Sequence, residues 1–163
     1  MRRATFLGLG SNLGDRFAHL RLGVRSLRAV DAGLSVSPVY ETAPLGGPAG
    51  QGRFLNCVVR IHTDLEPREL LALAHSIEQE AARVPTTRNG PRTLDVDVLL
   101  IDELRIDEPD LVVPHPRMAE RGFVLAPLED LDASQVPPGW RERLARTDPV
   151  SLDLRRIGRL EDT

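Results

Sequence analysis

The chain has 163 residues and a formal net charge of −3, which suits one domain able to bury roughly 70% of its unfolded surface without staples and gives no general attraction to nucleic acid or membrane. All 21 lysine-plus-arginine positions are Arg, which excludes a lysine phosphate loop and lysine Schiff-base chemistry. The lone Cys57 has no disulfide partner, the apolar stretch after Met1-Arg2-Arg3 is too short for a signal peptide, and no apolar run approaches the roughly 20 residues that span a bilayer; a soluble, cytoplasmic protein is expected, with Cys57 as a small core hydrophobe.

Ala4 to Leu9 reads as a buried strand ending in the glycine-rich run from Gly8 to Asp15. That run is expected to reverse the chain and allow close strand–helix approach; phosphate binding at the helix start is the alternative. Leu13, Phe17, Leu20, Val24 and Leu27 then recur at helical spacing, with Ser11 or Asn12 as the expected cap and Asp15 at the positive helix end. A second strand is expected from Leu34 to Tyr40. A Gly/Pro loop (43–52) leads to a third, Phe54 to Thr63, with Leu55, Cys57, Val59 and Ile61 on one face and Phe54, Asn56 and Val58 on the other.

Asp64 is the expected cap of a second helix, with Pro67 in its first turn and Leu70, Leu73, Ala74, Ile77 and Ala81 as its core stripe. A strand through Asp95 follows, so the order is β-α-β-β-α-β. This is an α+β, ferredoxin-like arrangement: an antiparallel sheet with both helices on one face and the other face open to ligands. Val112 to Phe123 indicates a strand end, a tight turn and a short helix begun by Pro116. The chain is expected to form a single domain over 1–163, with a core at about 4–130 and a peripheral C-terminal extension at about 131–163.

The most informative segment runs from Asn89 to Leu100. Strand alternation puts Asp95 and Asp97 on one face, with Leu94, Val96 and Val98 on the other. Two like charges roughly 7 Å apart on one strand face repel unless a cation lies between them, and Mg²⁺ with oxygen ligands is the economical candidate. A solvated edge strand is the alternative reading. Gly90-Pro91 fixes the entry turn, and Arg92 stands just upstream. Phe54 and Asn56, two apart on a strand, set an aromatic plane beside an amide, a pairing that suits a flat, nitrogen-rich ring.

Gly8 to Gly14, Tyr40 to Thr42 followed by Pro44-Leu45-Gly46, Phe54 to Asn56, Gly90 to Asp97, and Pro114-His115 with Arg121 to Phe123 resemble, in order and spacing over about residues 4 to 130, the hydroxymethyldihydropterin pyrophosphokinases of folate biosynthesis. The resemblance implies transfer of the β,γ-diphosphoryl group of ATP to the pterin hydroxymethyl oxygen, with release of AMP. It implies Asp95 and Asp97 as ligands of two Mg²⁺ ions, and Arg83 and Arg92 as catalytic, phosphate-binding groups. ATP would meet Leu71, His75, Glu78, Arg88, Arg92, Val98, His115 and Arg121. The pterin would lie between Phe54 and Phe123, with Asn56 on its edge and Thr42, Ala43, Pro44 and Leu45 at the rim.

Two departures stand out. The segment between Arg83 and Arg92 lacks the Trp common in the family, with Arg88 as a partial supply of charge, and Asp110 stands where some members carry a basic residue. The Arg83 to Arg92 segment is expected to close over ATP and Mg²⁺. Two other readings are a ferredoxin-like small-ligand module without turnover and a metal-dependent phosphohydrolase using the two Asp residues. No nucleic-acid or membrane partner is expected, and the protein is expected to act as a monomer.

Overall fold

The computed structural model of the protein describes residues 1–44, 50–82 and 93–160. Leu45, Arg83, Arg88 and Arg92, together with the expected loop closure, lie outside the described residues. The first strand, β1 (Arg3–Ser11), runs two residues beyond the expected Leu9. Ser11 is therefore a strand residue that meets the buried His19 ring at 3.3 Å, and it does not cap α1 (Arg16–Arg28); nor does Asn12. The cap is Asp15, whose side chain accepts the Ala18 N–H at 3.0 Å.

The expected second strand is two pieces, β2 (Ser35–Val36) and β3 (Val39–Thr42), while β4 (Phe54–Thr63) has the expected bounds. Helix α2 (Pro67–Ala82) starts on its proline. Asp64 stands too far back to cap it: the Glu66 carbonyl accepts the first helical bond from Leu70, and the Glu69 carboxylate takes the Glu66 N–H. The acidic strand is β5 (Asp95–Ile101). The hairpin β6 (Ile106–Glu108) and β7 (Leu111–Val113) leads through a 3₁₀ turn at Met118–Glu120 to α3 (Gly122–Leu131).

The main sheet has the order β5-β1-β4-β3-β8, with β2 also paired to β4, and every pairing in it is antiparallel. The core strands and helices give the ferredoxin-like order expected from the sequence. The α1 and α2 stripes pack with Leu7, Leu9, Leu55, Cys57, Val59, Ile61, Val96 and Val98 in the larger core. On the other face α3 packs its Val124 and Leu128 against Phe6, Val58, Leu99 and Leu100. The β1–β5 register shifts between Phe6 and Leu7, and this bulge explains how two successive residues, Leu99 and Leu100, both join the α3 side.

The C-terminal segment is not peripheral. Helix α4 (Trp140–Thr147) buries Trp140 and Leu144 against Leu125, Ala126 and Tyr40, and β8 (Leu154–Gly158) pairs with β3 as the outer strand of the sheet. Alternation alone could not reveal this, because Leu154-Arg-Arg-Ile-Gly158 pairs on one edge and carries few apolar side chains. No helix among the described residues is long and apolar enough to cross a membrane.

Candidate active site

The face of the sheet opposite α1 and α2 is only partly covered by α3, and a cavity of about 460 Å³ remains. Its floor is β1. Gly8 pairs with Val58 on one side and Asp97 on the other, and Gly10 pairs with Asn56 and Asp95. Two cross-sheet rows result, Asn56–Gly10–Asp95 and Val58–Gly8–Asp97. Each runs over a residue without a side chain, and Asn56 and Asp95 ride on strands roughly 10 Å apart. The glycines expected to bring strand and helix together thus lie inside β1 and open the ligand face instead. The chain reversal falls to Gly14, at φ 67°.

Asn56 is buried, and its Nδ2 donates to the Thr42 hydroxyl across the β3–β4 pair at 2.8 Å. That bond aims Oδ1 toward β1, where a Cβ on Gly10 would sit 2.6 Å from it. Phe54 and Phe123 line the cavity, each half-buried, and Phe123 also packs against the core beneath α3. Ala43 lines it beside Thr42; Pro44, the next residue, does not.

A second cavity of about 350 Å³ lies on the outer side of β5, lined by Leu71, His75 and Glu78 of α2, Val98 of β5, and the wall from Pro109 to Pro116 that includes His115. Asp97 lines both cavities. Because β5 is an edge strand, the Val96 N–H points away from β1, and Glu78 Oε2 accepts it at 3.1 Å. Glu78 therefore braces the acidic strand between its two Asp residues as well as lining the cavity.

Arg68 of α2 donates to both carboxylate oxygens of Asp110 at 2.8 and 2.7 Å and also pairs with Glu108, which pins the β6–β7 hairpin to α2 as the outer wall. The Arg68 guanidinium holds the Asp110 carboxyl below its ordinary range. A cation thus stands beside Asp110, supplied by α2.

His115 lines the outer cavity. Burial pushes its imidazolium down, against the opposing pull of the Asp97 carboxylate, and Arg121 and Arg117 push it down further. Its Nδ1 accepts the Arg117 N–H at 3.3 Å, which leaves Nε2 to carry the proton of the neutral ring. Arg121, expected with the nucleotide set, lines the first cavity instead, its guanidinium 5.5 Å from the Phe123 ring centroid. Its place at the start of α3, next to Gly122-Phe123, carries it to that side.

Arg117, Glu120 and Asp148 also line the first cavity without having been singled out in the sequence. Arg117 and Glu120 lie inside the His115–Phe123 block, whose position in the sequence is their signal. Asp148 closes α4 in a segment with no motif.

Among the described residues no three His, Cys, Asp or Glu side chains converge as a metal cluster. Two carboxylates on one strand face nevertheless fit Mg²⁺, which usually keeps several waters and takes further ligands from substrate phosphates.

The model of the 7,8-dihydro-6-hydroxymethylpterin-pyrophosphokinase family matches residues 6–133. The chain belongs to this family. It is an ATP-dependent pyrophosphokinase that transfers pyrophosphate from ATP to hydroxymethyldihydropterin in folate biosynthesis. It is 47% identical over 133 residues to the 2-amino-4-hydroxy-6-hydroxymethyldihydropteridine pyrophosphokinase of Bacillus subtilis, covering 80% of this chain and 79% of that protein. It is 42% identical over 158 residues to the protein of the same name from Methylorubrum extorquens, covering 94% and 98%. A crystal structure of Plasmodium falciparum HPPK-DHPS superimposes with a TM-score of 0.72 at 13% identity, over 96% of the pyrophosphokinase and 47% of that longer chain. This last likeness concerns the fold alone.

Proposed function

We propose that the pterin and ATP occupy the two cavities on either side of β5 and that pyrophosphate crosses at Asp97. The observation that carries this reading is that Asp97 alone of the two carboxylates borders both spaces, with Asp95 beside it on the pterin side. The pterin ring lies over Gly8 and Gly10 between Phe54 and Phe123, with its edge on Asn56 and with Thr42 and Ala43 at the rim; the rim role of Pro44 and Leu45 is assigned from the motif alone. This pose directs the hydroxymethyl arm along the Asn56–Gly10–Asp95 row toward the carboxylates. Stacking holds the ring faces, and the amide supplies the directional bonds.

ATP lies against Leu71, His75, Glu78, Val98 and His115. Neutral His115 donates from Nε2, and Arg121 offers its guanidinium from the pterin side of the junction. Arg83, Arg88 and Arg92, assigned from the motif, bring forked donors to the phosphate oxygens. Asp95 and Asp97 would hold two Mg²⁺ ions, which when bound neutralise phosphate oxygens and align the incoming hydroxyl. The pterin hydroxyl oxygen bonds to the β-phosphorus and gives up its proton to solvent, the bond from that phosphorus to the α,β-bridging oxygen breaks, and AMP leaves with the bridging oxygen. This chain's part is alignment of the two substrates and water exclusion. Asp95 has little share as a base, since a carboxylate committed to metal is a weak one.

The buried Cys57, whose thiol is pushed up to about 12 by burial, is compatible with a reducing cytoplasm, and the small net charge of −3 gives no general attraction to nucleic acid or membrane; a monomer is the working expectation. Product analysis with ATP, Mg²⁺ and reduced pterin tests the reading. AMP and pterin diphosphate are expected. Phosphate released without pterin would point to a hydrolase, and binding without product to a ligand module.

A further inference from the structure

The family model ends at residue 133, yet the segment beyond it reaches back to the pterin cavity at two points. Ser151 is 2% exposed. Its Oγ accepts the Gly122 N–H at 2.8 Å and donates to the Glu120 carbonyl at 3.3 Å, so one hydroxyl bridges the two sides of Arg121. The approach is close enough that a Cβ on Gly122 would collide with the Ser151 carbonyl oxygen. Two residues further on, Asp153 takes a forked pair of bonds from Arg53, at 2.9 and 3.0 Å. Gly122 immediately precedes Phe123, and Arg53 immediately precedes Phe54. The residues before both cavity aromatics are thus fastened to one three-residue stretch of the C-terminal segment.

We infer that Ser151 and Asp153 form a clamp that sets the spacing and orientation of Phe54 and Phe123, which makes them positioning residues for the pterin. The inference rests on the reading that these two rings sandwich the substrate. A rigid gap of the right width spares the ligand the cost of ordering its own site, and the two halves of this gap come from elements far apart in the chain, β4 and α3. Backbone pairing cannot fix their separation, because α3 lies across the sheet and is not hydrogen-bonded to β4. Val124 and Leu128 of α3 rest on Val58 of β4 by apolar packing alone, and the clamp adds directional bonds to that contact. The same segment also contributes Asp148 to the cavity wall.

The test uses the full-length enzyme and measures pterin affinity, KM and kcat, and separately the affinity of a nonhydrolysable ATP analogue. Ser151→Ala removes a buried partner of the Gly122 N–H, and pterin Kd and KM should rise about tenfold, with kcat at saturation and analogue affinity close to wild type. Asp153→Ala breaks a more exposed pair and should raise them about threefold, whereas Asp153→Glu, which keeps the charge, should restore most of the affinity. Phe123→Ala is the control for the underlying reading. If it leaves pterin affinity unchanged, the sandwich and the clamp both fall. If it abolishes pterin affinity while Ser151→Ala and Asp153→Ala bind as wild type, or lose pterin and analogue equally, the clamp alone is overturned. Should Ser151→Ala not fold, the Asp153 pair of variants still decides.

Discussion

Gly10 and Asn56 face each other across the β1–β4 pair so closely that a β-carbon on Gly10 would lie 2.6 Å from the Asn56 Oδ1. The amide cannot retreat, because its Nδ2 is tied to Thr42 at 2.8 Å. Gly10→Ala should therefore displace the buried Asn56 amide and fill the cavity floor together. Pterin binding is expected to weaken by on the order of 10- to 100-fold, the cost of losing a buried hydrogen-bond partner, while an ATP analogue binds nearly as before. Calorimetric titration of both ligands checks this, and unchanged pterin affinity would remove Gly10 from the site.

Asp95→Ala and Asp97→Ala should each lower turnover by ~100-fold or more, since a ligand lost from the metal and phosphate cluster costs several kcal/mol of transition-state stabilisation. The two should differ in binding. Asp97 borders both cavities and Asp95 only the pterin one, so Asp97→Ala should change the Mg²⁺ requirement for ATP-analogue binding more than Asp95→Ala does. Near wild-type rates at limiting Mg²⁺ in either variant would contradict the metal assignment.

Separate cavities predict separable defects. Asn56→Ala should cost about 1 to 3 kcal/mol of pterin affinity and little for the nucleotide. His115→Ala should do the reverse, because the ring lines only the outer cavity. Equal losses of both ligands in either variant would mean the residue acts through the fold.

A pH effect on stability belongs to Asp31, at the end of α1. Its carboxylate accepts the His62 N–H at 2.7 Å and the Gly33 N–H at 3.1 Å, joining the helix exit to β4. The His62 bond, more than the Gly33 bond and the nearby Arg2, holds its pKa below the ordinary value of about 3.9 despite an opposing desolvation effect. With the folded pKa lowered, the unfolded chain binds more protons across that interval, so stability rises with pH there. The contribution is complete above the unfolded value and is lost as pH falls through the folded one. Asp31→Asn should melt lower than wild type at neutral pH, and thermal melts on descending pH should show the gap closing in the acid range. A gap that persists unchanged at the acid end would mean the carboxylate charge is not what matters.

Local alternation determined much of this protein in advance. Period two placed Asp95 with Asp97 and Phe54 with Asn56, period 3.6 gave most of the buried stripes of α1 and α2, though Leu13 precedes α1 and Leu22 joins its buried face, and the order of elements gave the ferredoxin-like sheet. Side-chain direction along a strand or helix is set by the backbone itself, so neighbours in sequence suffice to read it. Register is another matter. That Asn56 and Asp95 share one row across Gly10, that Asp97 separates two cavities, and that Arg121 turns to the pterin side depend on which strands pair and how α3 crosses them. Asp15 caps α1 because pairing with β4 draws β1 out through Ser11. The weakly apolar strand Leu154–Gly158 completes the sheet only because β3 offers it an edge, and it is this long-range pairing that brings the C-terminal residues Ser151 and Asp153 to the backs of two aromatic rings.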